Sequence, residues 1–198
     1  MAVVLGDAVA VPEDVPLWGG RLCLDFANTT AWDDDDRPLA NPDEVLRTPA
    51  DLLTWGRRLD LVDDAAPPQV LDDDLALRGA VHGVFAALAR GRRPVATEVR
   101  TLEERHALAV RRGELDLAGG TGRFRWPRDD ATAVGDAVAV DAVGLLTDGS
   151  LVGRVRRCPG PGCGWLFLDR SGRRRWCSMQ VCGSRVKMRR LAERQRQL

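Results

Sequence analysis

The sequence predicts a mainly α-helical protein with a small β-hairpin, closed at its C-terminal end by a treble-clef-like module built on four cysteines. Three observations predict this. Apolar residues recur at helical spacing through most of residues 48–146. The period switches to two over residues 114–127, around a glycine-rich turn. Four of the five cysteines fall late in the chain as two C-x4-C pairs, Cys158 and Cys163, then Cys177 and Cys182, thirteen residues apart.

Taken in order, residues 1–17 read as an extended arm, and Trp18-Gly19-Gly20 as a turn. Arg21 to Thr29 follows, with Leu22, Leu24 and Phe26 alternating, so a short strand and a helix start are both open. Cys23 in that run reads as a small buried hydrophobe. Asp33 to Asp36 is an acidic loop, read first as solvated and second as an occupant of a basic surface elsewhere in the chain.

Thr48-Pro49 starts a helix, because a hydroxyl at the N-cap and proline at the first helical position both suit that end. It should reach Leu59. A second helix spans Asp72 to Arg90, with Leu77, Val81, Val84, Phe85 and Leu88 on one stripe. A third runs from Ala96 to Arg112 and presents Val99, Leu102, His106 and Ala109, with Gly113 as its cap. Residues 114–127 form the hairpin. Asp129 to Leu146 has almost no polar face and reads as the central buried helix. The sign of the charge flips just after Ser150, which places a boundary between an acidic segment, 1–150, and a basic one, 151–198.

Paired cysteines at short spacing on turn-rich sequence suit a tetrahedral metal site, each pair supplying one edge. Two disulfides are the competing reading. The opening stretch MAVVLGDAVAVPED has no basic region and no long apolar core, so it does not read as a signal peptide, and a reducing cytoplasm is expected. Zinc is the expected ion for four thiolates, although iron also fits that ligand set, and a site with no position open to water is structural. Within the module, Arg154–Arg157, Trp165–Leu168 and Arg174–Trp176 suit short strands. Ser178 caps a helix to about Arg194, and Trp165, Phe167 and Trp176 read as a small core under the metal, with stacking on bases as the alternative role.

The chain is neutral overall, with 29 basic and 29 acidic residues. From Gly153 onward, thirteen Lys and Arg face only Asp169 and Glu193. That is +11 against −11 for the remainder, and a compact +11 module is an electrostatic footprint for phosphate. Arg173, Arg174, Arg175, Arg185, Lys187, Arg189, Arg190 and Arg194 are the candidate nucleic-acid contacts. Trp18, Phe26, Trp32 and Trp55, with Trp126, are candidates for lining an effector pocket, core packing being the other reading.

The stretch C-x4-C-G-W-L-F-L-D-x-S followed by R-R-W-C-S-M-x-x-C-G-x-R resembles the CGNR-type zinc finger of bacterial transcription regulators. The signature asparagine is replaced here by Ser184. Leu24-Asp25-Phe26-Ala27-Asn28-Thr29 resembles the opening of the helical ABATE domain that precedes such fingers. The resemblance implies a DNA-binding regulator with one structural zinc.

Enzyme chemistry finds little support. The two histidines, His82 and His106, lie in predicted helices, no G-x-S-x-G elbow occurs, and tyrosine is absent. No apolar run approaches the length of a membrane span. The expected partner is DNA, with RNA or an acidic protein as alternatives, and a homodimer would lengthen the site read. The charge split further predicts that removing residues 1–150 should raise non-specific DNA affinity. The four-ligand site separately predicts that Cys177→Ser should unfold the finger and leave the helical domain largely intact.

Overall fold

The computed structural model describes residues 11–39, 44–67, 71–118 and 120–196. Most of the expected arm and Gly119 of the hairpin turn therefore lie outside the described residues.

Among the described residues, six α-helices and two antiparallel hairpins make up the fold. Helix α1, Leu22–Ala27, resolves the strand-or-helix ambiguity. Alternation suggested a strand facing two environments, but Cys23 through Ala27 are all buried, so both faces meet protein. The turn joins the Asp25 N–H to the Arg21 carbonyl and the Asn28 N–H to the Leu24 carbonyl, and a helix this short needs outside partners for the rest. Its N-terminus is capped from a distance: Asp141 accepts from the Cys23 backbone N–H at 2.9 Å and pairs with Arg21.

Helix α2, Pro49–Arg58, starts as expected. Thr48 Oγ1 accepts from the Asp51 N–H while the Asp51 carboxylate accepts from the Thr48 N–H at 2.7 Å. Helices α3, Asp72–Ala89, and α4, Ala96–Arg112, also fall on their predicted spans. On the α3 stripe Leu77, Val81, Val84 and Phe85 are buried, whereas Leu88 reaches the surface as the helix ends. Gly113 does follow α4, but at φ −82°, so it is not the left-handed cap its identity suggested. Strands β1, Glu114–Asp116, and β2, Arg123–Arg125, pair antiparallel. Helix α5, Thr132–Thr147, packs against α1, α2, α3 and α4, as its apolar character predicted.

The basic segment adds strands β3, Val155–Arg157, and β4, Leu166–Leu168, paired Val155↔Leu168 through Arg157↔Leu166. A wide turn, Met179–Gly183, leads into helix α6, Ser184–Gln195. Ser178 caps that turn, accepting from the Val181 N–H. The strand expected at Arg174–Trp176 does not form. The Arg174 N–H goes to Asp169 Oδ1 and its guanidinium to the Trp176 carbonyl, so the segment is held by side chains instead of a ladder.

The flip of charge near residue 150 does not coincide with a gap in packing. One continuous apolar core takes in Phe26, Trp55, Phe85 and Val138 together with Val155, Trp165, Leu166 and Phe167. The hydrogen bonds across it are equally continuous. Asn28 Nδ2 donates to the Leu166 carbonyl at 2.8 Å, and its Oδ1 accepts from the Leu166 N–H at 2.9 Å. Trp165 Nε1 donates to the Thr30 carbonyl, and the Leu168 N–H to the Gly19 carbonyl. Gly19 in turn donates its N–H to Asp25. The Leu24–Thr29 stretch is thus the seat on which β4 rests.

Candidate metal centre and nucleic-acid interface

The first cysteine pair sits on a knuckle after β3, the second at the entry to α6. Cys158, Cys163, Cys177 and Cys182 are all buried, and their sulfurs lie within 4.8 Å of one another. Cys177 Sγ is 3.5 Å from both Cys163 Sγ and Cys182 Sγ. A tetrahedron with Zn–S bonds of about 2.3 Å has sulfur edges of about 3.8 Å, so the cluster fits zinc closely. None of the four is disulfide-bonded. Without a cation the thiols compete for protons: hydrogen bonds among them push Cys163 and Cys177 up and Cys158 down. One structural zinc ion resolves that competition and leaves no ligand position to water.

The knuckle depends on two glycines. A Cβ at Gly160 would stand 3.1 Å from Cys182 Sγ, so a side chain there would press on the ligands. Gly164 has φ +62°, and a Cβ would meet Trp32 at 2.6 Å. Trp32 is accordingly part of the support of the metal centre. Its backbone N–H donates to the Cys163 carbonyl, its Nε1 to the Ala27 carbonyl, and its ring stacks on His82 at 3.7 Å. His82 Nε2 donates to the Gly164 carbonyl at 3.0 Å, and burial pushes the imidazole down to about 4, keeping it neutral.

The aromatic effector pocket does not form. Phe26 and Trp55 are wholly buried and pack on each other at 5.4 Å. Trp18 packs on Trp165 at 5.7 Å, and Trp126 Nε1 is bound to the Ala109 carbonyl. Trp32 borders a cleft with Leu39, Glu44 and Arg78 that none of the others reaches. Phe26, Trp32 and Trp55 are core residues, and Trp18 and Trp126 are half-buried against that core. A different cleft, of about 380 Å³, opens in the helical segment between Leu52, Leu53, Asp74, Arg105 and Thr132.

The predicted basic residues separate into two groups. Arg173, Arg175, Lys187, Arg190 and Arg194 are exposed and form no ion pair among the described residues. Arg189 is exposed and pairs with Glu193 at 3.5 Å, and Arg185 is half-buried. Arg174 is different: it lies over the Phe167 ring at 4.5 Å and donates to the carbonyls of Trp18, Trp176 and Cys177. It is a structural residue first. Of the aromatic trio expected beneath the metal, Trp165 and Phe167 are buried and Trp176 is half-exposed.

Two basic residues escaped the sequence reading. Arg156 and Arg157 join Arg174, Arg175, Arg190, Phe167 and Trp176 in lining a cleft of about 420 Å³. The signal was present in the +11 segment, but strand pairing between distant positions decides which arginines share a cleft. Arg157 also resolves the acidic loop. Asp36 accepts from Arg157 Nε at 2.8 Å and pairs with Arg90 and Arg92, while the Asp33 carbonyl accepts from Arg157 Nη2. Asp36 is therefore an occupant of the basic surface, held at φ 63°.

Comparison with known proteins accords with this architecture. The profile of the ABATE family, described as putative stress-induced transcription regulator, matches residues 20–149, and the CGNR zinc finger profile matches residues 154–195. The chain belongs to the ABATE family, and it carries its zinc finger in the expected order. These families are of regulator and zinc-finger type. A search of curated proteins returned no match. Ser184, standing where the finger signature has asparagine, opens α6 and donates to the Met179 carbonyl at 3.3 Å. Among the described residues no helix is long and apolar enough to cross a membrane.

Proposed function

We propose that this zinc-containing regulator acts in the cytoplasm by binding DNA through its C-terminal finger. The observation that carries the reading is the outer face of the finger: Arg173, Arg175, Lys187, Arg190 and Arg194 stand exposed and without ion-pair partners among the described residues. Unpaired, solvated cations on a rigid module are what phosphate binding requires. Helix α6 supports it further, since only Val186 on it is buried and every other residue but the half-buried Arg185 is exposed.

The helical segment holds the finger in place and offers the Asp74–Arg105 cleft as the place for a small effector. Two copies on one DNA would lengthen the sequence read. The test is a gel shift of zinc-loaded protein on random duplex DNA across a salt series, beside hairpin RNA. Log affinity should fall against log salt with a slope near −0.9 per phosphate engaged, and duplex DNA should be preferred. Binding confined to RNA, or none at low salt, would overturn the reading.

A further inference from the structure

We propose that the cleft between β3, the Arg173–Trp176 segment and α6 is the phosphate-binding site of the finger, and that the helical segment helps to build it. The inference rests on the DNA-binding reading above and names where on the finger a backbone phosphate is held.

Five arginines, Arg156, Arg157, Arg174, Arg175 and Arg190, line the cleft around about 420 Å³ of open space. Like charges at that density repel unless anions are near, and the protein supplies only part of the compensation. Asp36 answers Arg157 at 2.8 Å. Arg156 and Arg174 bond only to backbone carbonyls, which carry partial charge. Arg175 and Arg190 have no partner among the described residues. The cleft thus presents two fully available forks and a wall of fixed positive charge, and a phosphodiester offers oxygens in the geometry that arginine forks match. Trp176, half-exposed at the rim, supplies a face for the adjoining sugar or base.

The walls are set from outside the finger. Arg157 is fixed by Asp36 and the Asp33 carbonyl, and Arg174 by the Trp18 carbonyl at 2.6 Å. Fixing two of the five arginines before the ligand arrives lowers the ordering cost of binding. The acidic loop therefore shapes the cleft while leaving its other cations open.

The experiment compares full-length, zinc-loaded protein with Arg175→Ala/Arg190→Ala and with Arg93→Ala, an exposed arginine of the helical segment outside the cleft. Each is titrated against duplex DNA by fluorescence anisotropy at several salt concentrations, with zinc content and melting temperature checked. The double variant should keep its zinc and melting temperature, bind at least about tenfold more weakly, and lose about 1 from the salt slope per arginine. Arg93→Ala should bind as the wild type does. Wild-type affinity and slope in the double variant would overturn the cleft while leaving the DNA-binding reading intact. An equal loss in Arg93→Ala would also overturn it, by showing a diffuse charge effect. Absence of binding by the wild type would remove both.

Discussion

Asn28 holds Leu166 by both of its backbone groups, donating to the carbonyl at 2.8 Å and accepting from the N–H at 2.9 Å. A side-chain amide thereby does the work of a strand neighbour, joining the helical segment to β4 across 138 residues of chain. All four atoms are buried, so none can turn to water instead.

Replacing Asn28 with alanine leaves a buried donor and acceptor unmet, at a cost of about 3 kcal/mol. Urea unfolding of Asn28→Ala should show the midpoint lowered with a single transition. A loss under about 1 kcal/mol would mean that the two segments are not joined here.

The shared core changes what loss of the metal should do. As separate units, the finger would unfold alone in Cys177→Ser. With Trp165, Leu166 and Phe167 in one core with Phe26 and Phe85, the variant should lose zinc and melt earlier as a whole. Calorimetry reads this directly: two transitions, the upper one unchanged, would restore the separable picture. The same packing removes the expectation that deleting residues 1–150 raises DNA affinity, since the exposed β3–β4 core would have nothing to rest on.

Adjacent arginines should behave differently. Arg174→Ala removes donors to three backbone carbonyls and the cation over Phe167, and should lower stability by about 2 kcal/mol. Arg175→Ala should change it by less than about 0.5 kcal/mol. Equal effects in thermal melts would contradict the division of roles between them.

Two carboxyls make stability fall with rising pH. Burial pushes both Asp25 and Asp74 up to about 6 from an ordinary value of 3.8. The folded state therefore binds more protons than the unfolded one, so their contribution is fully present below pH 3.8 and is lost as pH rises through about 6. His82, pushed down by burial to about 4, acts in the opposite sense: its contribution is full above pH 6.5 and lost as pH falls toward 4. Asp74→Asn should flatten the fall between about pH 4 and 7 by on the order of 2 kcal/mol. An unaltered pH profile in that variant would show Asp74 to be ionised throughout.

Much of this was legible in the sequence, and the remainder failed for identifiable reasons. Thr48-Pro49, the α3 stripe and the two cysteine pairs are local patterns, and each formed where it pointed. Trp32 and Phe26 looked like candidates for a pocket because an aromatic residue in sequence does not reveal what surrounds it. In the fold, His82 and the knuckle glycine enclose one, and Trp55 the other. Arg174 looked like its neighbours, but one of its carbonyl partners, Trp18, lies 156 residues away in the chain. The Asp36–Arg157 pair, 121 residues apart, was foreshadowed by charge but not by position.

Zinc and DNA binding are linked most simply by one full-length preparation titrated with DNA before and after removal of its metal. The expected result is one zinc per chain, steeply salt-dependent binding to duplex DNA, and loss of that binding on chelation with recovery when zinc is returned. One bound zinc with no DNA binding at low salt, or binding that survives full removal of the metal, would contradict it.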